Sequence, residues 1–132
     1  RFGLGTDGAS SNNRYDMFSE MRTAALLAKA RTLDPTAGTA ADLYRTATVD
    51  GFRMLRLDAG EIAVGKIADC ILVDLDHTGL VPGHNLISDL VYAATPECVD
   101  TTICNGQVLM RNRQIPGEDD IRRSFREVAA RL

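Results

Sequence analysis

Apolar residues from Met17 onward recur at helical spacing, with Met17, Phe18, Met21, Ala24, Ala25 and Ala28 falling on one face. The pattern predicts a helix that ends near Thr32. Asp16 stands where an N-cap belongs, Glu20 puts an acid in the first turn, and Asp34-Pro35 stops the element. Thr39 opens a second predicted helix with Leu43, Tyr44, Ala47 and Gly51 on one side. Gly51 is expected to end or bend it, since glycine costs about 1 kcal/mol relative to alanine there. Met54 and Leu55 are expected to begin a further short turn.

Beyond residue 56 the period changes. Glu61–Lys66 reads as a short strand into a glycine turn. Asp69–Leu75 reads as a β-rich apolar run covered on both faces. His77–Asn85, with two glycines and a proline, reads as a surface loop. A short helix is predicted over Ile87–Ala94, ended by Thr95-Pro96. Val99–Cys104 and Gln107–Met110 then flank Asn105-Gly106, a strong hairpin signal because both residues tolerate the positive φ of a type I′ turn. Ile121, Phe125, Val128, Ala129 and Leu132 give an amphipathic closing helix dotted with arginines. The first segment, Arg1-Phe2-Gly3-Leu4, reads as the tail of a strand. With no initiator methionine before it, the expectation is a piece of a longer protein.

Composition narrows the classes. The 132 residues carry 15 Lys+Arg against 18 Asp+Glu, a net charge of −3, with no basic run, so nucleic acid is not an expected partner. No apolar stretch approaches the roughly 18 residues of a membrane helix, so no membrane association is expected. Cys70, Cys98 and Cys104 form no C-x-x-C, which fits a reducing cytoplasm better than a disulfide framework. Cys70 and Cys104 are expected to act as small core hydrophobes.

Gly3-Leu4-Gly5-Thr6-Asp7-Gly8 satisfies G-x-G-x-x-G, but a dinucleotide fingerprint needs a helix opening at once, and here a loop runs through Asn13 with Asp7 where phosphates would sit. Asp7 has two readings of its own: an ordinary turn-capping aspartate, or a carboxylate presented at a strand tip with small neighbours that leave room for a metal or substrate. His77 and His84 lie in a glycine-rich loop without a ligand cluster. Ser10 and Ser11 lack a nucleophile elbow. Asp74 and Asp76, at a strand end, are explained by solvation.

The stretch GLGTDGASSNNRYDMFSEMRTAALLAKA resembles the last barrel strand, loop and helix of the metal-dependent amidohydrolases. The subgroup it most resembles is the 5′-methylthioadenosine/S-adenosylhomocysteine deaminases, with chlorohydrolase and triazine hydrolase relatives beside them. GEIAVGKIADCILVDL is similar to the strand pair leading into that superfamily's small β-sandwich, and HNLISDLVYAATPECVDTTICNGQVLMRN to the helix and hairpin that follow.

The resemblance implies an α/β-plus-β fold: the C-terminal fragment of a (β/α)8 metallo-hydrolase barrel, part of a small composite β-sandwich, and a terminal helix. Residues 1–55 would end the barrel, 56–116 belong to the sandwich, and 117–132 form the helix. It implies that Asp7 is the metal ligand, the catalytic proton shuttle and a substrate contact, with a divalent metal, zinc, as cofactor. A nucleoside or related heterocycle would be deaminated hydrolytically, and Ser10–Asn13 would line the mouth. The family's H-x-H pair and other histidines are absent here, so the chain alone is expected to be inert. The rival expectation is a non-catalytic β-rich binding or oligomerisation module. A homo-oligomer is also expected, with Phe2, Leu4, Met17, Met21 and Leu43 buried against a second copy or disordered.

Overall fold

A computed structural model describes residues 2–131. Helix α1 spans Met17–Thr32. Its N-cap is Asp16, whose Oδ1 accepts from the backbone N–H groups of Phe18 (3.0 Å) and Ser19 (3.1 Å), satisfying two donors that no helical carbonyl can reach. Arg14 pairs with the other oxygen at 3.1 Å. Leu33, left-handed at φ 55°, ends the helix before Asp34-Pro35. Thr39 caps α2 (Ala40–Ala47), its hydroxyl accepting from Asp42 N at 3.2 Å.

The break after α2 falls at Thr48, not at Gly51. Thr48 leaves helical geometry (φ −118°, ψ −98°), and Gly51 lies inside α3 (Val49–Met54), which also absorbs Met54. The position that requires glycine is Gly3, which passes over this helix. A Cβ on Gly3 would sit 3.0 Å from the Gly51 Cα, so the segment before Asp7 crosses α3 backbone to backbone.

The core forms where α1 and α2 meet α4 (Leu86–Tyr92): Met21, Ala25, Leu43 and Val91 are buried, with Leu4, Phe18, Ala24 and Tyr92 packed around them. Met21 and Leu43 therefore find partners within their own chain rather than in a second copy, and Leu4 and Met17 are half-buried. Phe2 stays exposed. Lys29 ties the far end of α1 to this group, donating to the Ala37 and Gly38 carbonyls (2.8 and 2.9 Å) and to the Tyr92 hydroxyl (3.0 Å).

Strands β1 (Cys70–Val73), β2 (Val99–Cys104) and β3 (Gln107–Met110) form one antiparallel sheet in that order. The register pairs Cys70 with Ile103, Leu72 with Thr101, and Cys104 with Gln107. The hairpin turn is as read, with Asn105 at φ 48° and Gly106 at φ 77°.

Three strand expectations are corrected. Glu61–Lys66 is not a strand: its chain folds into a turn closed by Lys66 N to Ala63 O at 3.2 Å, and Lys66 pairs with Asp58 and Glu61. Ile62 and Val64 are 94% and 105% exposed, with no ladder to hold them. β1 is shorter than predicted, and Ile71 and Leu72, on opposite faces, are 45% and 54% exposed, so neither face is closed among the described residues. Residues 2–6 form neither strand nor helix and pair with no strand among the described residues, Asp7 turns left-handed at φ 60°, and Arg1 lies outside the described residues. The closing helix α5 (Glu118–Ala129) presents Ile121, Phe125 and Val128 on one exposed stripe, while Leu132 lies outside the described residues.

Val91 is 1% exposed at the centre of the helical core. Val91→Ala should destabilise the chain by about 2 kcal/mol through lost burial and the cavity left behind. Urea unfolding checks this, with a midpoint shift at unchanged slope as the expected result.

Candidate active site

The segment before Asp7 is fixed first by Leu4 on the helical core and by the Gly3–Gly51 approach, and it then delivers Asp7 to a turn. Asp7 is left-handed at φ 60°, a conformation that aspartate tolerates better than most residues because its short side chain bonds locally. Here that bond is Gly8 N to Asp7 Oδ1 at 2.7 Å. Gly8 O accepts from both Ser11 N and Asn12 N at 2.9 Å, closing the loop. The Asp7 side chain is exposed, and among the described residues its Oδ2 has no hydrogen-bond partner. The group is thus a held but open carboxylate, able to accept a cation or a proton.

Of the loop residues expected at a mouth, Ser10, Ser11 and Asn13 are exposed and Asn12 is half-buried. Asn12, expected with its neighbours only to line the mouth, makes contacts of its own. Its amide reaches the Thr6 carbonyl (2.9 Å) and Glu20 Oε1 (3.0 Å). No local motif announces such a bond, because the partners are six and eight residues away.

No group of three or more His, Cys, Asp or Glu side chains suited to a metal lies among the described residues. A catalytic zinc takes three protein ligands and water. Asp7 fits one such position, and the residues described do not fill the others.

The remaining candidates sit elsewhere. His77 Nδ1 accepts from Gly79 N (3.2 Å) and lies 3.4 Å from the Cys98 sulfur. His84 is exposed. Among the cysteines Cys98 is the buried one, while Cys70 is half-buried and Cys104 exposed, so the core role expected of the last two belongs to Cys98. The dinucleotide pattern is followed by no immediate helix, since α1 begins only at Met17. Asp74 is more than a solvated strand end: Arg113 Nη2 bonds it at 2.7 Å.

A family model described as Amidohydrolase family matches residues 1–109. The chain is 48% identical over 112 residues to a 5′-deoxyadenosine deaminase of Methanothermobacter thermautotrophicus, covering 85% of this chain and 26% of the relative. It is 50% identical over 113 residues to a 5-methylthioadenosine/S-adenosylhomocysteine deaminase of Thermococcus onnurineus, covering 86% and 27%. A crystal structure of an adenosine deaminase from Xanthomonas campestris with bound zinc superposes with a TM-score of 0.86 at 39% identity, covering 98% of this chain and 31% of that one. The chain therefore spans less than a third of each of these proteins.

Two outcomes follow from the geometry. Asp7→Asn keeps a residue that accepts the left-handed conformation, so thermal unfolding should show a change within about 0.5 kcal/mol. Asp7→Val, β-branched, should cost about 1–3 kcal/mol. At the sheet, the hydrogen bond from Arg113, aided by one from Asp76 N–H, holds the Asp74 carboxyl below its ordinary value. A depressed folded pKa gives stability that is complete above the unfolded value and lost as pH falls through the folded one, so this tie should loosen only below about pH 4. Arg113→Met should bring the Asp74 titration back toward the ordinary range, as read by NMR of the carboxyl carbon.

Proposed function

This chain belongs to the amidohydrolase family, and on that premise we propose that it is part of a zinc-dependent aminohydrolase that deaminates an adenosine-type nucleoside. The observation that carries the reading is the Asp7 carboxylate, held by its own turn yet open on one oxygen, in a chain similar along nearly all its length to a zinc-bound adenosine deaminase. In the proposed parent protein residues 1–55 complete the barrel, with residues 2–7 as its last strand. Residues 56–116 join the small β-sandwich and 117–132 form the terminal helix.

Asp7 is proposed as metal ligand, proton carrier and substrate contact. Zinc, when bound, supplies a water with a pKa near 7 and a Lewis acid beside the purine. Asp7 takes a proton as the water oxygen bonds to the amino-bearing carbon, and returns it to the nitrogen as the carbon–nitrogen bond breaks. The sum is nucleoside plus water giving the 6-oxo product and ammonia. The other zinc ligands come from polypeptide beyond this chain, so these 132 residues alone are proposed to be inactive. A cytoplasmic setting and self-association of the parent belong to the same proposal. The rival module reading rests on missing histidines alone and leaves the loop around Asp7 without a purpose.

The test is ammonia release by the full-length gene product across 5′-deoxyadenosine, 5′-methylthioadenosine, S-adenosylhomocysteine and triazines. Activity on a nucleoside is expected, with Asp7→Asn lowering kcat by about 10²–10⁴-fold, the range of a lost general acid–base group. No turnover on any of them, or full turnover without the carboxylate, would sink the reading.

A further inference from the structure

Asn12 bonds in three directions. Its Nδ2 donates to the Thr6 carbonyl (2.9 Å) and to Glu20 Oε1 (3.0 Å), and its Oδ1 accepts from Arg14 N (3.1 Å). Two acceptors face the amide nitrogen and one donor faces the oxygen, so a flipped amide would lose all three bonds. The bond to Arg14 N is an ordinary Asx turn and needs only the oxygen. The two made by the nitrogen are surplus to any turn.

One of those two bonds ends on a peptide unit, the other on the Glu20 carboxylate. The Thr6 carbonyl belongs to the peptide plane that carries the Asp7 nitrogen, so gripping it fixes one side of the Asp7 φ rotation. The other side is held by Gly8 N on Oδ1. Glu20 lies in the first turn of α1, the helix whose N-terminus Asp16 caps and whose body carries Met21 and Ala25 of the core. A hydrogen bond to a carboxylate belongs to the stronger, charge-assisted kind.

We propose, resting on the reading of Asp7 given above, that Asn12 is the positioning residue of the site: it aims the Asp7 carboxylate by clamping the Thr6–Asp7 peptide to Glu20 on α1. Hydrogen-bonded partners that orient a metal ligand typically change metal affinity or activity by about 10–100-fold when removed. Asn12 acts one step further out, through backbone, and the same range applies.

The experiment uses the full-length protein. Asn12→Ala removes both amide bonds, and Asn12→Asp keeps the shape but turns an acceptor toward the Thr6 carbonyl and the Glu20 carboxylate. Both should lower kcat for the active nucleoside, or zinc retained against a competing chelator, by about 10–100-fold, with KM within about threefold. Glu20→Gln keeps an acceptor oxygen and should stay within about threefold of wild type, whereas Glu20→Leu should match Asn12→Ala. The pair Asn12→Ala with Glu20→Leu should be no worse than either alone, as expected of two ends of one interaction.

The clamp is overturned if both Asn12 variants keep wild-type kcat and zinc retention, or lose them only in proportion to the fraction unfolded at the assay temperature. If Asn12→Ala does not fold, Glu20→Leu against Glu20→Gln decides the matter by the same readouts. A wild type that releases no ammonia, or an Asp7→Asn variant as active as wild type, overturns the reading of Asp7 instead. An active wild type and an inert Asp7→Asn, together with unaffected Asn12 variants, overturn the clamp alone.

Discussion

The position of the Asp7 carboxylate depends on a leucine. Residues 2–7 have no strand partner among the described residues, so no ladder of backbone hydrogen bonds fixes them. What holds them is Leu4 against the helical core, with Gly3 pressed on Gly51 of α3. Fully burying a leucine is worth about 1.5–3 kcal/mol, and a charge-assisted hydrogen bond about the same. The two differ in kind. Apolar contact is non-directional and sets where the segment lies, while the bonds of Asn12 and Gly8 are directional and set which way Asp7 points. Position and aim thus come from separate interactions.

What could be read from sequence was what is local. Asp16, Thr39 and Asn105-Gly106 each act within three residues of themselves, and each sits where its side chain or φ preference put it. The misreadings involve partners distant in sequence. Helix propensity alone makes Gly51 an end or a bend, yet it lies inside α3, and the close backbone approach there requires glycine at Gly3, far away in sequence from the helix it crosses. Glu61–Lys66 has the alternation of a strand, but alternation is only half of a strand, and no neighbour supplies the other half. The resemblance leaves Met21 and Leu43 facing barrel partners that lie outside this chain, hence the expectation of a second copy or disorder; Val91, which completes their core from α4, lies far down the chain and carries no mark of that role. Asp7 itself was legible as a candidate because glycine and small residues surround it; Asn12 was not, because an amide bonded across a loop leaves no periodic trace.

The helical and sheet portions differ in how far they are closed. Around Met21, Ala25, Leu43 and Val91 the apolar faces of three helices meet and exclude water. In the sheet, Ile71, Leu72, Val108 and Leu109 remain roughly half exposed, and α5 leaves Ile121 and Phe125 in solvent. Isolated apolar side chains on a surface need no explanation, but a sheet apolar on both faces does. The prediction of a covered β1 came from its residue pattern, and that pattern encodes burial the described residues do not provide. A chain spanning under a third of its relatives would show this if the remainder of the fold supplied the cover.

The acids among the described residues divide into those matched by a cation and those, Asp7, Asp34, Asp42 and Asp69 among them, that are not. Asp16 is matched by Arg14, Asp50 by Arg45 and Arg53, Asp58 by Lys66, and Asp74 by Arg113. Asp7 has no cationic partner among the described residues, only the Gly8 N–H. Glu20 on α1 is tied to the same loop through the neutral amide of Asn12. An arginine at position 12 could also grip a carbonyl and a carboxylate, but it would bring a cation to the loop and reduce the attraction that Asp7 exerts on a metal. Asparagine provides the grip without the charge. Under the reading proposed above, a carboxylate left open on one oxygen, with no ion pair among the described residues, would meet a positive charge supplied from outside this chain.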